Sequence, residues 1–336
     1  MKIVIVGGEG GTNIGDSFRR AAVANGWDVT LFNCRRAFSN SRWLQRISWH
    51  LLDHRPAHLG SFSATVESHI AGFGVDCFIT TGLAPVLAAT LDNIGRQGIK
   101  RMCFLTDDPW NPTHSAKWFF KALPFYDIVF SPRKANIADL RSAGCKRAEY
   151  LPFAYDPELF FPERTDDADR VRDYRSDVVF AGGADADRVP YMSALIEAGF
   201  NLSLYGSYWE RFSQTRKHTK GQASVSTVRM AMAHAKICLC LVRRQNRDGN
   251  CMRTFEVPAV GSCMLCEYTE EHREIFGADG QAVVYFSTIN EMVDKTQWLL
   301  AHPEERNRIA RSGHLLITRG EHTYADRLKQ MLNVAC

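Results

Sequence analysis

The sequence predicts an α/β protein built from two parallel sheets that are each wrapped by helices. Short apolar runs rich in Val and Ile alternate with helical stretches in the first half of the chain, which indicates parallel strands joined by helical crossovers. A second series of the same kind follows a charged segment. Because a chain of 336 residues that is 45% hydrophobic can bury two ordinary cores, two domains are expected.

The elements follow in order along the chain. The predicted strands of the first series are residues 2–6, 28–32, 77–80, 101–105, 128–130 and 149–151. The proline-bearing and then highly charged stretch 153–175 is interpreted as the interdomain linker. The predicted strands of the second series are 177–181, 202–205, 237–242, 263–267 and 282–286, with helices beginning near Arg188, Val225, Thr254 and Ile289, and residues 303–332 are helical.

The composition narrows the function classes. A formal net charge of +4 suits an anionic small molecule or surface, and without a dense basic run or a nucleic-acid motif the chain is not expected to bind nucleic acid. Ten cysteines scattered through apolar segments indicate reduced core thiols of a cytoplasmic protein, and Cys263-x-x-Cys266, which lacks a partner pair, is interpreted as core. The opening KIVIVGG predicts a first strand rather than a signal peptide, and no apolar run is long enough to span a bilayer.

One segment, DGNCMRTFEVPAVGSCMLCE, has the layout of a site for a nucleotide sugar. It predicts a polar loop, a helix capped by Asn250 or Thr254, a stop at Gly261 and a buried strand. Arg253 in the first turns and the free backbone N–H groups suit a diphosphate. Glu256 would be costly on an apolar helix face unless ribose hydroxyls bind it.

These residues resemble a known family. The string Phe255-Glu256-x-x-Ala259-x-Gly261, with Asp248 eight positions before the glutamate, resembles the acid-x7-acid signature of GT-B glycosyltransferases of family four. Segments resembling RTFEVPA-G, EY…E-F…VVYF, HPEER-RIA–G and HTY–R follow in the order expected of the CgeB-like spore-maturation glycosyltransferases.

The resemblance implies a GT-B architecture of two Rossmann-like domains that face each other across a cleft. Residues 1–160 would bind the acceptor, residues 175–318 would bind the nucleotide sugar, and the helix 319–336 would cross back to the N-terminal domain. The implied donor is a nucleoside-diphosphate sugar, with a UDP-sugar preferred, and no resident cofactor is expected. The acceptor is a glycan, a lipid-linked molecule or a protein. A nucleotide-sugar epimerase or hydrolase of this fold and a non-catalytic nucleotide-sugar-binding subunit are the alternatives.

Further donor-side candidates lie at predicted strand ends of the second half, where backbone glycines allow close approach to a phosphate. They are Gly182, Gly183, Arg188, Tyr205, Gly206, Arg243 and Arg244. The two last arginines are either phosphate ligands or a solvated rim. Asp185-Ala186-Asp187 offers a D-x-D metal motif, but a turn is favoured and the transfer is expected to be independent of metal.

Carboxylates after strands of the first half are the candidate catalytic groups. Asp107 and Asp108 follow the fourth predicted strand, and one of them would be the general base of an inverting transfer. The alternative is that one caps the turn at Pro109 and the other is solvated. Asp16, in the glycine-rich opening GGEGGTNIGDS, either acts in catalysis or caps a helix over residues 17–24.

A last segment suggests contact with a membrane. Residues 41–52, SRWLQRISWHLL, interleave arginines and tryptophans with apolar residues at helical spacing. This pattern is typical of a helix at the membrane interface, which would place the protein peripherally at the inner face of the membrane. The alternative, an ordinary helix that packs on the first sheet, is favoured.

Overall fold

The computed structural model describes residues 1–39, 41, 43, 48, 53–163, 167 and 171–335. The chain divides into two compact units. Met1–Pro152, Gln245–Asp248 and Tyr324–Cys336 make the first unit, and Phe153–Arg244 with Gly249–Thr323 make the second. Most of the segment 41–52 lies outside the described residues, so the membrane-interface helix stays a prediction. No helix in the described ranges is long and apolar enough to cross a membrane.

Six strands form the parallel sheet of the first unit within the described residues. They are β1 Lys2–Gly7, β2 Asp28–Asn33, β3 Cys77–Thr81, β4 Lys100–Phe104, β5 Ile128–Ser131 and β6 Ala148–Tyr150. Their order is β2-β1-β3-β4-β5-β6. β1 and β3 are buried along almost their whole length, as expected for parallel strands covered on both faces. The order reverses between β1 and β3, and ligands bind beyond the carboxyl ends of strands at such a point.

Helices connect these strands. They are α1 Ile14–Ala24, α2 Leu59–Phe73, α3 Ala88–Arg96, α4 Lys117–Ala122 and α5 Ala135–Ser142. The apolar faces of α2, α3, α4 and α5 form one core with the sheet, in which Val66, Phe78, Leu91 and Phe119 are completely buried. The loops that carry the candidate carboxylates are therefore anchored to the strands of a well-packed sheet.

The second unit repeats this arrangement. Its parallel strands are β7 Ser176–Ala181, β8 Leu202–Tyr205, β9 Thr219–Gly221, β10 Ala235–Cys240, β11 Met264–Glu267 and β12 Val284–Phe286, in the order β12-β11-β10-β7-β8-β9. Its helices are α6 Val189–Glu197, α7 Val225–His234, α8 Met252–Val260, α9 Glu270–Phe276, α10 Ile289–Ala301 and α11 Pro303–Arg319. The predicted α/β class with two parallel sheets is confirmed.

Some elements differ from the sequence prediction. β9 was not predicted, because its three residues, Thr-Lys-Gly, are partly exposed at the sheet edge and carry no apolar pattern. α9 was also missed, although Thr269 before two glutamates is a helix-start signal and its hydroxyl accepts a hydrogen bond from His272 N. The continuous helix expected over residues 303–332 is broken, because Gly320 adopts an extended conformation after α11.

The last helix, α12 Tyr324–Ala335, belongs to the first unit and packs against α1. The ring of Phe18 is the centre of this contact. Its centroid lies 5.8 Å from that of Tyr324 and 5.6 Å from that of Phe104, in edge-to-face geometry with both rings. Arg327 Nε also donates a hydrogen bond of 2.9 Å to Pro152 O. The C-terminal helix therefore packs on α1 and β4 of the first unit.

We expect Phe18→Ala to lower the free energy of unfolding of the first unit by about 3–5 kcal/mol, because the substitution leaves a cavity between α1, β4 and α12. Val23→Ala is the matched control on the same helix, since Val23 is exposed, and it should change stability by less than about 0.5 kcal/mol. Denaturant unfolding followed by circular dichroism measures both. Equal effects of the two substitutions would show that α12 does not depend on Phe18.

Candidate functional site

The second unit has a pocket of about 210 Å³ near the carboxyl ends of β7 and β8. Among the described residues its lining consists of Ala181, Gly182, Tyr205, Gly206, Gln222, Ala223, Val228 and Arg253. Four of these were predicted to bind the donor: Gly182, Tyr205, Gly206 and Arg253. The other side of the pocket was missed, because it follows β9, which the sequence pattern does not reveal.

Two backbones approach each other closely at the floor of this pocket. Gly182 N donates a hydrogen bond of 2.8 Å to Tyr205 O, and Trp209 Nε1 donates another of 2.8 Å to Gly182 O. Gly206 has a φ of +138°, and a Cβ atom at this position would lie 2.3 Å from Gly182 O. Only glycine fits there, so the backbone at this edge stays open toward the pocket.

Arg253 places a positive charge on the pocket wall. Its Nε donates a hydrogen bond of 3.1 Å to Ala181 O, and its guanidinium contacts the carboxylate of Glu256 and lies 5.9 Å from the ring centroid of Phe160. The Arg253 side chain is 24% exposed, whereas that of Glu256 is 1% exposed. The buried carboxylate therefore orients a guanidinium that solvent and ligands can reach.

A hydrogen-bonded chain fixes the start of α8, which carries both residues. The N-cap is Cys251, not Asn250 or Thr254. Cys251 N donates to Thr254 Oγ1 at 3.0 Å, and Thr254 Oγ1 lies 2.9 Å from His272 Nε2. His272 Nδ1 lies 2.8 Å from Glu267 O, which can only accept. Burial lowers the pKa of His272, so the neutral ring donates from Nδ1 and accepts at Nε2 from the Thr254 hydroxyl.

Asn250 and Gly261 lie at the two ends of this helix. The side-chain oxygen of Asn250 accepts a hydrogen bond of 3.2 Å from Phe153 N, and its amide donates to Glu271. Asn250 is completely buried, so it supports the loop. Gly261 ends α8 in the left-handed conformation, with a φ of +86°, as the sequence predicts.

The remaining predicted donor residues lie around the pocket rather than in its lining. Arg188 is buried and donates a hydrogen bond of 3.1 Å to Gly183 O, so it braces the glycine turn. Arg243 is partly exposed. Arg244 is exposed and pairs with Glu267 at 3.0 Å, as expected for a solvated rim.

Asp185 has the role of a turn residue. Its carboxylate accepts a hydrogen bond of 2.9 Å from Arg188 N and lies 3.6 Å from Arg188 Nε. In the part of the chain that the structure describes, no group of three or more His, Cys, Asp or Glu side chains is placed to hold a metal ion.

In the first unit, the buried carboxylate of Asp108 pairs with an arginine that is exposed to solvent. Arg247 donates two hydrogen bonds to it, of 2.6 Å from Nε and 3.1 Å from Nη2, and Trp110 N donates another of 3.0 Å. Asp108 is 1% exposed. Asp108 therefore caps the turn at Pro109, as in the alternative interpretation of the sequence. Arg247 adopts a φ of +51°, a strained conformation that these ion pairs offset.

Asp107 is the more accessible carboxylate of the pair. Its side chain is 34% exposed, and its Oδ1 lies 3.9 Å from Nε2 of His114. Asn246 donates a hydrogen bond of 3.2 Å to the same oxygen. Sequence reasoning missed His114, because a lone histidine in a loop carries no signal without the fold.

Asp248, the first acid of the acid-x7-acid spacing, is bound within the first unit. It forms an ion pair with Arg133 Nε, and both side chains are almost completely buried. Arg133 Nη2 also donates a hydrogen bond of 2.8 Å to Thr106 O. Because Glu256 lies in the second unit, the two acids of the motif belong to different units.

Asp16 lies in the third position of α1, which begins at Ile14 with Asn13 as its N-cap rather than at Ser17. Asp16 Oδ2 accepts a hydrogen bond of 3.3 Å from Gly10 N, and the carboxylate forms ion pairs of 2.7 Å with Arg19 and 2.6 Å with Arg20. Burial acts to raise the pKa of Asp16, but the two arginines outweigh it, and the net pKa is lowered. The ionised carboxylate thus fixes the glycine-rich loop.

Residues 189–333 match the family model described as glycosyl transferase-like. The match covers less than half of the chain and includes most of the pocket lining. No curated protein sequence matches the chain.

Solved structures match over almost the whole chain. Sucrose-phosphate synthase of Thermosynechococcus elongatus is 13% identical, with 99% of this chain and 98% of that chain covered and a TM-score of 0.69. HepE of Anabaena in complex with UDP-glucose is 12% identical, with 99% and 100% covered and a TM-score of 0.67. UDP-GlcNAc 2-epimerase of Neisseria meningitidis bound to UDP-GlcNAc is 12% identical, with 99% and 100% covered and a TM-score of 0.55. The chain has the GT-B fold of two Rossmann-like domains, as predicted.

We expect Asp16→Asn to destabilise the protein at pH 7, because it removes the partner of two arginines. A carboxylate whose pKa is lower in the folded state stabilises the fold above its unfolded pKa, and this contribution is lost as the pH falls through the folded pKa. The stability difference between wild type and variant should therefore shrink on acidification below about pH 4. Asp28→Asn, at an exposed position, is the control. A pH-independent difference between wild type and Asp16→Asn would contradict the ionic role.

Proposed function

We propose that the protein is a glycosyltransferase that moves a sugar from a nucleoside-diphosphate sugar to an acceptor, with a UDP-sugar as the donor. The observation that carries the proposal is the pocket of the second unit, where a guanidinium, an open glycine backbone and an apolar wall meet. Most of its described lining residues lie in the range that matches the glycosyl transferase-like family model.

The chemistry of the pocket suits the donor. Ala181, Ala223 and Val228 offer an apolar wall of the kind that a nucleobase and ribose require. Arg253 offers a planar, permanently charged fork that binds the oxygens of a diphosphate. The same charge would stabilise the nucleoside diphosphate as it leaves the sugar in the transition state. Glu256 orients Arg253. Its own carboxylate is 1% exposed and is not part of the pocket lining, so we assign it this positioning role and not the predicted contact with ribose hydroxyls.

On the acceptor side, we propose Asp107 as the general base of an inverting transfer. Asp108 is committed to Arg247, whereas Asp107 is partly exposed at the carboxyl end of β4 and lies beside His114. A carboxylate in this position can take the proton of an acceptor hydroxyl.

We infer further that the chain belongs to the CgeB-like branch related to family four, on the resemblance of its RTFEVPA-G and HPEER segments. The acceptor would be a glycan, a lipid-linked molecule or a protein. A nucleotide-sugar epimerase or hydrolase and a non-catalytic binding subunit are the other outcomes of the assays below. An epimerase interconverts the free nucleotide sugar, a hydrolase releases the sugar to water, and a silent subunit binds the donor without turnover.

We expect Arg253→Lys to weaken UDP binding by about 1.5–3 kcal/mol, the contribution of hydrogen bonds to a charged group. Lysine keeps the charge beside the buried Glu256, so the fold is spared an unpaired carboxylate. Isothermal titration with UDP measures the affinity, and Arg308→Lys, an exposed arginine of α11 paired with Glu305, is the matched control. Equal affinities of wild type and Arg253→Lys would remove Arg253 from the donor site.

We expect donor turnover to survive exhaustive chelation within about twofold, a change worth well under 1 kcal/mol of barrier. The physical reason is that Arg253 supplies the positive charge that a cation would otherwise supply. Asp185→Asn is the control for the D-x-D motif and should leave the response to chelator unchanged. Abolition by chelator with rescue by magnesium or manganese would instead make Asp185 and Asp187 ligands.

We expect Asp107→Asn to bind UDP normally and to lose about a hundredfold or more in turnover. Asp108→Asn is the contrasting variant, because it weakens the charged hydrogen bonds that Arg247 donates to this buried position and should lower stability. Product configuration from NMR provides an independent check. A retained configuration, or normal turnover of Asp107→Asn, would contradict the base.

A further inference from the structure

Two thiols of the second unit lie in contact at the start of α8. Cys251 Sγ and Cys240 Sγ are 3.6 Å apart, although the residues belong to a helix cap and to the last position of β10. Other buried thiols make the ordinary contact with a backbone carbonyl: Cys103 Sγ lies 3.8 Å from Gly82 O and Cys238 Sγ lies 3.5 Å from Met232 O. The Cys240–Cys251 contact thus differs from simple core packing.

The sequence directs attention to a different pair. Cys263 and Cys266 have the C-x-x-C spacing, but both are buried, and burial raises the pKa of Cys263 to about 12. Thiols of this kind are inert. Cys251 is partly exposed, whereas Cys240 is buried. Cys251 is thus the member of the pair nearer to the surface, and Cys240 lies in the core beside it.

We propose that Cys251 is an oxidation site for a peroxide and that Cys240 resolves the oxidised sulfur into a disulfide. The thiolate of Cys251 attacks one peroxide oxygen, the O–O bond breaks, and a sulfenic acid forms while hydroxide leaves and takes a proton. Cys240 sulfur then attacks Cys251 sulfur, the S–O bond breaks, and water leaves with the Cys240 proton. The thiol pair loses two electrons, and hydrogen peroxide is reduced to two waters.

The surroundings favour this chemistry. A hydrogen bond from the Cys240 thiol is the main cause that lowers the pKa of Cys251, and the same interaction raises the pKa of Cys240. The N-terminal end of α8 also stabilises a thiolate at the N-cap. The attacking and resolving sulfurs are thus differentiated before the oxidant arrives.

The disulfide has a consequence for the pocket, and this part rests on the proposed function. A disulfide bond is about 2.05 Å long, so the two sulfurs must approach by about 1.5 Å from their present 3.6 Å. Cys251 is the N-cap of α8, and its N–H holds the Thr254 hydroxyl. Arg253, on the pocket wall, lies between these two residues in the chain. Oxidation is therefore expected to displace Arg253 and weaken donor binding.

The test treats the reduced full-length protein with a small excess of hydrogen peroxide, blocks free thiols, and digests without reduction. Trypsin separates the two cysteines into ICLCLVR and DGNCMR, so a linked peptide reports the bond, and fragmentation assigns it to Cys240 or Cys238. Cys238→Ala, in the same peptide, is the matched control and should still link. In Cys240→Ala, a sulfenic-acid trap should label Cys251. Absence of both the linked peptide and the label would overturn the proposal.

UDP titration of the oxidised and re-reduced protein tests the consequence. We expect affinity to fall at least fivefold on oxidation and to return with dithiothreitol. The affinity of Cys251→Ser, which replaces the thiol with a hydroxyl that can cap the helix, should be unaffected by peroxide. A linked peptide without any change in affinity overturns the effect on the pocket. A linked peptide in a protein that binds no UDP in either state contradicts the proposed donor site and leaves the oxidation site supported.

Discussion

The contact between Arg253 and Glu256 is the interaction on which the candidate site depends. A carboxylate that is almost completely buried on an apolar helix is tolerated only with a partner, because burial of an unpaired charge costs several kcal/mol. The partner is a guanidinium three residues earlier, and its Nε donates a hydrogen bond to Ala181 O at the end of β7. The ion pair offsets the free-energy cost of burying Glu256. It also holds the Arg253 guanidinium in a fixed position, which recognition of an anion requires.

Other contacts in the second unit also hold Arg253 in place. The cap at Cys251 and the chain through Thr254 and His272 fix the first turn of α8 on neighbouring elements, so that Arg253 does not depend on a flexible loop. The close backbones at Gly182 and Gly206 keep the facing wall free of side chains. Because these contacts are rigid, a bond between Cys240 and Cys251 would displace Arg253 on the pocket wall.

Local pattern was sufficient to predict most of the fold. A β-branched run such as KIVIVG is typical of a central parallel strand, and the glycine at position 261 is typical of the residue that ends a helix. The pocket residues Gly182, Tyr205, Gly206 and Arg253 were also found, because strand ends and helix starts are visible in sequence. The ion pair of Asp108 with Arg247 could not be predicted, because the two residues are 139 positions apart and only the fold brings them together. Gln222 and Ala223 were missed with β9, a strand that has no apolar signal.

The proposed donor site requires that Arg253 binds the diphosphate of a nucleotide in the pocket of the second unit. A crystal structure of the protein with UDP tests it most directly. We expect a diphosphate oxygen about 2.7–3.2 Å from the Arg253 guanidinium, with the nucleobase and ribose against the wall formed by Ala181, Ala223 and Val228. A nucleotide bound elsewhere, or bound in this pocket with its phosphates turned away from Arg253, would exclude this role for Arg253.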